Sequence, residues 1–157
     1  MNKVMDRLYI GSVLLGDTKI EALRSLGDEI TIINMAKERD IYLGDADAEG
    51  IDIFKFDMED YHFPLDYMDS HLRKRKEQVK LAARALRLLI DKMNDGRTVL
   101  VCCSAGASRS AIMCVMYLHY TGLSWEDSIQ KMLDVRTQAQ EYNRGLFTLI
   151  KEGLTRK

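Results

Sequence analysis

The sequence predicts a single α/β domain spanning residues 1–157, with a central, mostly parallel but mixed β-sheet of about four to five strands covered by helices. Three observations lead there. Apolar runs of strand length at 30–35, 51–56 and 98–102 alternate with stretches of helical period. The run at 98–102 is apolar at nearly every position, which suits a central strand buried on both faces. A chain of 157 residues, 46% hydrophobic and 30% charged, is of a size to bury one core and is not of disordered composition.

The elements follow in order. Leu8-Tyr9-Ile10 is a strand signal, closed by Gly11-Ser12 as a turn, and about three residues at each end of the chain are expected to fray. Asp17 or Thr18 can cap a short helix running to Leu26, with Gly27 as its stop. The β-branched run 30–35 is the next strand. Residues 37–50 are polar and contain Gly44 and Gly50, so they read as loop, with a short edge strand at 41–43. Residues 51–56 alternate strictly and form a strand. A long helical pattern follows Pro64, strongest from Val79 to Met93, and Asn94-Asp95-Gly96 ends it. After the strand at 98–102, helical spacing returns from Ser108 to Gly122. Ser124, with Asp127 three residues on, caps another helix, and a last helix runs from about Glu141 to Glu152.

Charge and composition exclude several functions. Lys plus Arg number 23, Asp plus Glu 24, and the net charge is −1, so no global field favours nucleic acid or a membrane surface. No apolar run reaches membrane-spanning length, and residues 1–12 lack the apolar core of a secretory signal. Three cysteines, Cys102, Cys103 and Cys114, are too few for a disulfide framework and lack zinc-site spacing, which leaves buried thiols or a reactive thiol in a reducing compartment. Neighbouring side chains on a strand point to opposite sides, so a Cys102–Cys103 crosslink is disfavoured, and Cys114 is expected in the core.

The chemistry concentrates in Cys103, Ser104, Ala105, Gly106, Ala107, Ser108, Arg109 and Ser110, between a buried strand and an apolar helix. Small residues there can turn backbone N–H groups toward one point, where the helix N-terminus adds partial positive charge. Arg109 supplies a planar fork for two phosphate oxygens. The same groups favour a thiolate at Cys103, aimed at bound phosphorus, and Ser110 can reach back to the sulfur. A leaving alkoxide needs a proton, and Asp57, Glu59 and Asp60 are the carboxyl candidates; Asp57 continues the alternation of the strand, while Asp60 sits in the loop proper. The histidines make no triad: His62 is a loop residue, His71 lies in a charged run, and His119 sits on a helix. Asn143 can cap the last helix.

Cys103, five residues, Arg109 and then Ser110, in the form CSAGASRS, resemble the signature of cysteine-based protein tyrosine phosphatases, and in particular the dual-specificity branch in its small atypical form. The similarity extends over nearly the whole chain. Residues 8–12 resemble that family's opening strand and 30–35 its next core strand. Residues 58–62 resemble its general-acid loop, and 142–147 the segment opening its last helix. The resemblance implies a protein tyrosine phosphatase-like fold, with Cys103 as nucleophile and Asp60 as general acid. It implies residues 104–109 as the phosphate cradle and Asn143 as a hydrogen-bonding support of the loop bearing Arg109.

The family residue before the nucleophile is usually a buried His, and here it is Cys102. The length of the stretch between Asp60 and the strand at Thr98 is a second departure, and it carries the charged run 71–78. That run reads as a solvated helix face, with a docking surface for an acidic partner or a localisation signal as the alternatives.

The expected function is therefore hydrolysis of phosphotyrosine and phosphoserine/threonine in proteins through a cysteinyl-phosphate. No metal or organic cofactor is implied, and the partner is a phosphorylated protein rather than nucleic acid or membrane. The expected location is the cytoplasm, with the nucleus as a second reducing compartment. Two rivals are a phosphatase for a phosphoinositide or RNA 5′-phosphate, and a catalytically weak phosphopeptide-binding module. Phosphoinositide members often carry Lys in the loop, where this chain has Ala105 and Ala107. Cys102 is the feature in favour of the weak module.

Overall fold

The computed structural model describes residues 1–44, 48–59, 72–106, 108–136 and 151–152, with side chains of the long helix described from residue 76. Five strands, β1 (Asn2–Met5), β2 (Leu8–Ser12), β3 (Ile30–Asn34), β4 (Ile51–Lys55) and β5 (Thr98–Cys103), form one mixed sheet. Its order is β1-β2-β5-β3-β4, with only β1 antiparallel. Four helices accompany it among the described residues: α1 (Ile20–Arg24), α2 (Leu72–Asn94), α3 (Arg109–Tyr120) and α4 (Trp125–Val135).

The period of two in the strands divides the core between the two faces of the sheet. Leu8, Ile10, Ile33, Val99, Val101 and Cys103 belong to the larger cluster, under α2, α3 and α4. Ile30, Ile32, Leu100 and Cys102 belong to a smaller one with Leu23 of α1. The central strand β5 is thus buried on both faces, as its continuous apolar run predicts. All of 109–118 is buried, so α3 is an interior helix whose start is anchored directly behind β5.

Five local expectations need correction. Gly11 and Ser12 form no turn but continue β2, paired with Cys102 and Cys103. The first residues do not fray: Asn2–Met5 pair with β2 through a tight turn in which Arg7 takes φ 62°. An edge strand with two exposed side chains carries too little apolar signal to be read. Residues 41–43 form no strand, and Tyr42 is 86% exposed. The short helix is confined to Ile20–Arg24 with Lys19 before it. Asp17 caps nothing there; its carboxylate accepts from the Ser12 N–H at 2.8 Å and from the Met1 amine at 2.9 Å. The cap at Ser124 is present, its Oγ accepting from the Asp127 N–H at 3.0 Å. Of the last predicted helix only Lys151 and Glu152 lie within the described residues, and they are helical.

Candidate active site

β2, β5 and β3 are parallel and in register, so Ser12, Cys103 and Asn34 end them at one edge of the sheet. Ligand sites of open parallel sheets form at this edge, beyond the carboxyl ends of the strands. Here the chain leaves β5 at Cys103 and re-enters helix at Arg109. Cys103 Sγ and Ser110 Oγ lie 3.2 Å apart, both residues buried. The first residues of the loop are tied down through their carbonyls. Ser12 Oγ donates to the Ser104 carbonyl at 2.5 Å, and the Val13 and Leu14 N–H groups donate to the Cys103 and Ser104 carbonyls, both at 3.0 Å. Arg136, buried at the end of α4, donates from Nη2 to the Ala105 carbonyl at 3.3 Å and from Nη1 to Asn2 Oδ1 at 2.8 Å. Gly106 has φ 69°, and a Cβ there would stand 2.4 Å from the Gly11 carbonyl oxygen, so the curl of the loop requires glycine.

Arg109 is 1% exposed and its guanidinium is held by a carboxylate that the sequence reading did not single out. Nη1 donates to Glu38 Oε2 at 2.8 Å and to the Met58 carbonyl at 2.9 Å, and Nη2 donates to Glu38 Oε1 at 2.5 Å. The Ser104 hydroxyl donates to the same Oε1. Hydrogen bonding from Arg109 is the main reason the Glu38 carboxyl falls from its ordinary 4.5 to about 2; the Ser104 bond adds to it and partial burial opposes it. Asn34 sets the turn that presents Glu38. Its Oδ1 accepts from the Ala36 N–H at 3.0 Å and its Nδ2 donates to the Arg39 carbonyl at 2.8 Å. An Asn at the end of a β-branched strand, before a polar loop, is the one local feature from which this turn could have been read. For Glu38, Ser12 and Arg136 no such signal exists, because their partners are distant in sequence.

Of the predicted site residues, the structure brings together Cys103, Ser104, Ala105, Gly106, Ser108, Arg109 and Ser110. Asp60, Ala107 and Asn143 lie outside the described residues, as do His62 and His71. The rival carboxylates have other surroundings. Asp57 is 65% exposed, 3.8 Å from Lys55 Nζ, and Glu59 pairs with Lys37 Nζ at 3.1 Å. His119 donates from Nδ1 to the Leu123 carbonyl at 2.8 Å and stacks on Trp125, the role of a satisfied helix residue. Cys102 points away from the loop into the α1-side cluster, and burial raises its pKa, as it does that of Cys114.

A buried thiol at the end of a central parallel strand, and a pinned guanidinium opening the next helix, define the protein tyrosine phosphatase-like fold and a site suited to a phosphate dianion. The family model described as "Dual specificity phosphatase, catalytic domain" matches residues 25–152, and the chain belongs to that family. Solved structures agree on the fold. Human DUSP28 superposes with a TM-score of 0.70 at 18% identity, covering 98% of this chain and 94% of that one. The human tyrosine phosphatase-like serine/threonine/tyrosine-interacting protein gives 0.71 at 18% identity, over 97% and 93%. Tk-PTP in its active form gives 0.73 at 17% identity, over 99% and 96%. No curated protein matches the sequence significantly.

Proposed function

We propose that this phosphatase domain hydrolyses phosphotyrosine and phosphoserine/threonine in proteins through a cysteinyl-phosphate. Cys103 Sγ attacks phosphorus, the S–P bond forms as the P–O bond to the substrate breaks, and the Asp60 carboxyl gives its proton to the departing oxygen. Asp60 then takes a proton from water as that water displaces the sulfur and releases inorganic phosphate. Arg109 holds equatorial oxygens of the transferring group in both steps. Ser110, 3.2 Å from the sulfur, stabilises the thiolate when it becomes the leaving group. Residues 104–108 line the phosphate, and Asn143 supports the loop. The chemistry uses side chains and loop amides of the chain itself, and the thiolate calls for a reducing compartment, the cytoplasm or nucleus.

The observation that carries this reading is the Cys103–Ser110 contact at the strand end, with Arg109 fixed beside it by Glu38. Ala105 and Ala107 leave the loop without the lysines suited to a polyanionic inositol phosphate, which supports a protein substrate. The test is turnover of p-nitrophenyl phosphate, followed by tyrosine- and serine-phosphorylated peptides. Cys103→Ser is expected to abolish turnover while tungstate still raises the melting temperature. A Cys103→Ser protein with more than about a hundredth of parental activity, far above the loss expected on removing a nucleophile, overturns the assignment.

A further inference from the structure

A chain of net charge −1 is divided very unevenly. α2 carries eight Lys and Arg against two acidic residues, a net +6, which leaves −7 for the remainder. Within the helix four of the five described basic side chains fall on one solvent face: Lys76, Lys80, Arg84 and Arg87 are all exposed, at spacings of four, four and three residues. At 1.5 Å per residue this row extends about 16 Å. Glu77 at one end and Asp91 at the other are the helix's only acids.

The helix that carries the row passes beside the active site. The Glu59 N–H donates to Gln78 Oε1 at 3.2 Å, one residue beyond the carbonyl of Met58 that receives Arg109. Arg84 lies 6.0 Å from the ring centroid of Phe56, and Lys92 lies 5.2 Å from that of Phe54 and 3.7 Å from Asp52. α2 therefore runs back along the β4 side of the sheet, antiparallel to that strand, from the catalytic edge toward the opposite one. Lys92, at the far end, is neutralised by Asp52. No salt bridge to Lys76, Lys80, Arg84 or Arg87 is present among the described residues.

We propose that this face of α2 is a docking surface for an acidic segment of the phosphorylated protein substrate, lying in the same substrate chain as the phosphoresidue. The inference rests on the phosphatase reading for its substrate, and on charge complementarity and the passage of the helix beside the site for its surface. An extended chain advances about 3.3 Å per residue. A segment a few residues from the phosphate therefore reaches Lys80, and one further along reaches Arg87. Exposed pairs contribute little singly, so the row acts as a set and its effect weakens with salt. An extended row beside a phosphate pocket suits a linear peptide better than a flat lipid surface.

The test compares two phosphotyrosine peptides, one with a run of glutamates downstream or upstream of the phosphate and one with glutamines in their place. Binding to the Cys103→Ser protein is read by fluorescence anisotropy at low salt. Four exposed pairs of modest worth lead to an expected preference of at least about fivefold for the glutamate peptide in one of the two placements. Lys76→Glu/Lys80→Glu/Arg87→Glu is expected to erase it, with an unchanged melting temperature and, in the Cys103 background, unchanged p-nitrophenyl phosphate turnover. Absence of the preference in the parent, or its survival in the triple variant, overturns the proposal. So does binding to phosphatidylserine vesicles that the triple variant loses while no peptide preference exists, which assigns the face to membrane. If the parent binds the glutamate peptide preferentially yet hydrolyses no aryl phosphate, docking stands and the catalytic reading fails.

Discussion

The two carboxylate oxygens of Glu38 each receive one terminal nitrogen of Arg109, at 2.8 and 2.5 Å. A flexible side chain is thereby turned into a fixed fork before any phosphate arrives, with its orientation settled by the turn that Asn34 organises. Glu38 is a positioning residue, since it acts through Arg109. Glu38→Gln keeps the shape and removes the anion, and it is expected to lower kcat/KM on p-nitrophenyl phosphate by about ten- to a hundredfold, the range of a misplaced catalytic group. Glu38→Asp is expected to recover part of the loss. Steady-state kinetics of both variants check this.

The same pair sets a pH dependence of stability. The Glu38 carboxyl titrates at about 2 in the folded chain against an ordinary 4.5, so its contribution is fully present above 4.5 and disappears as pH falls toward 2. Melting temperatures of the parent and Glu38→Gln are therefore expected to differ most near neutral pH and to converge on acidification. Because Glu38 is 48% exposed, added salt is expected to narrow the difference.

Asp60→Asn is expected to lower kcat by about 10²–10⁴ on alkyl phosphates and by less on aryl phosphates, whose oxygen leaves without a proton. The limb of the pH–rate profile that reports a protonated carboxyl is expected to vanish with it. Asp57→Asn and Glu59→Gln, whose carboxylates stand beside Lys55 and Lys37, are expected to retain it.

Gly106→Ala places a methyl 2.4 Å from the Gly11 carbonyl at φ 69°. The nearest obstacle is the Gly11 backbone, with the Arg136 guanidinium also within 2.8 Å, so the loop itself must shift, at a cost of about 1–3 kcal/mol. Thermal melts are expected to fall by several degrees and tungstate protection to be lost. Gly122→Ala, at φ 115° with nothing within 4 Å, isolates the backbone cost and is expected to leave tungstate protection intact.

Peroxide is expected to oxidise Cys103 first, to a sulfenic acid that condenses with the Ser104 nitrogen, with loss of water, or with an external thiol. Cys102 does not capture it, because consecutive side chains of β5 enter opposite clusters. Cys114 is fully buried in the core. Mass spectrometry of peptides from treated protein is expected to show no dominant Cys102–Cys103 or Cys103–Cys114 crosslink.

Much of this architecture is readable from local pattern. The β-branched run at 30–34 and the apolar run at 98–103 are strands because neither has a polar face to expose. The loop from Cys103 to Arg109 is legible because its chemistry needs a fixed spacing along the chain. β1 was invisible because an edge strand exposing Asn2 and Lys3 resembles a polar terminus. The run 41–43 misled because Ile41 and Leu43 pack half-buried against the α1-side cluster without pairing into the sheet. Glu38 and Arg136 could not be read at all: one reaches Arg109 from 71 residues away and the other reaches Ala105 from 31. Such partnerships are made by the parallel register of the strands, which no window of sequence contains.

The separation of charge between α2 and the remainder also governs how the molecule meets others before contact. With a net charge of −1 its monopole is almost nil, so what a distant ion feels is a dipole. A dipole does little to raise the number of encounters and much to choose their orientation. Within the roughly 8 Å over which physiological salt lets charge be felt, an anionic partner is turned toward α2. Ionic strength then acts on this protein chiefly as a control of facing, setting what fraction of collisions arrive with the helix in front.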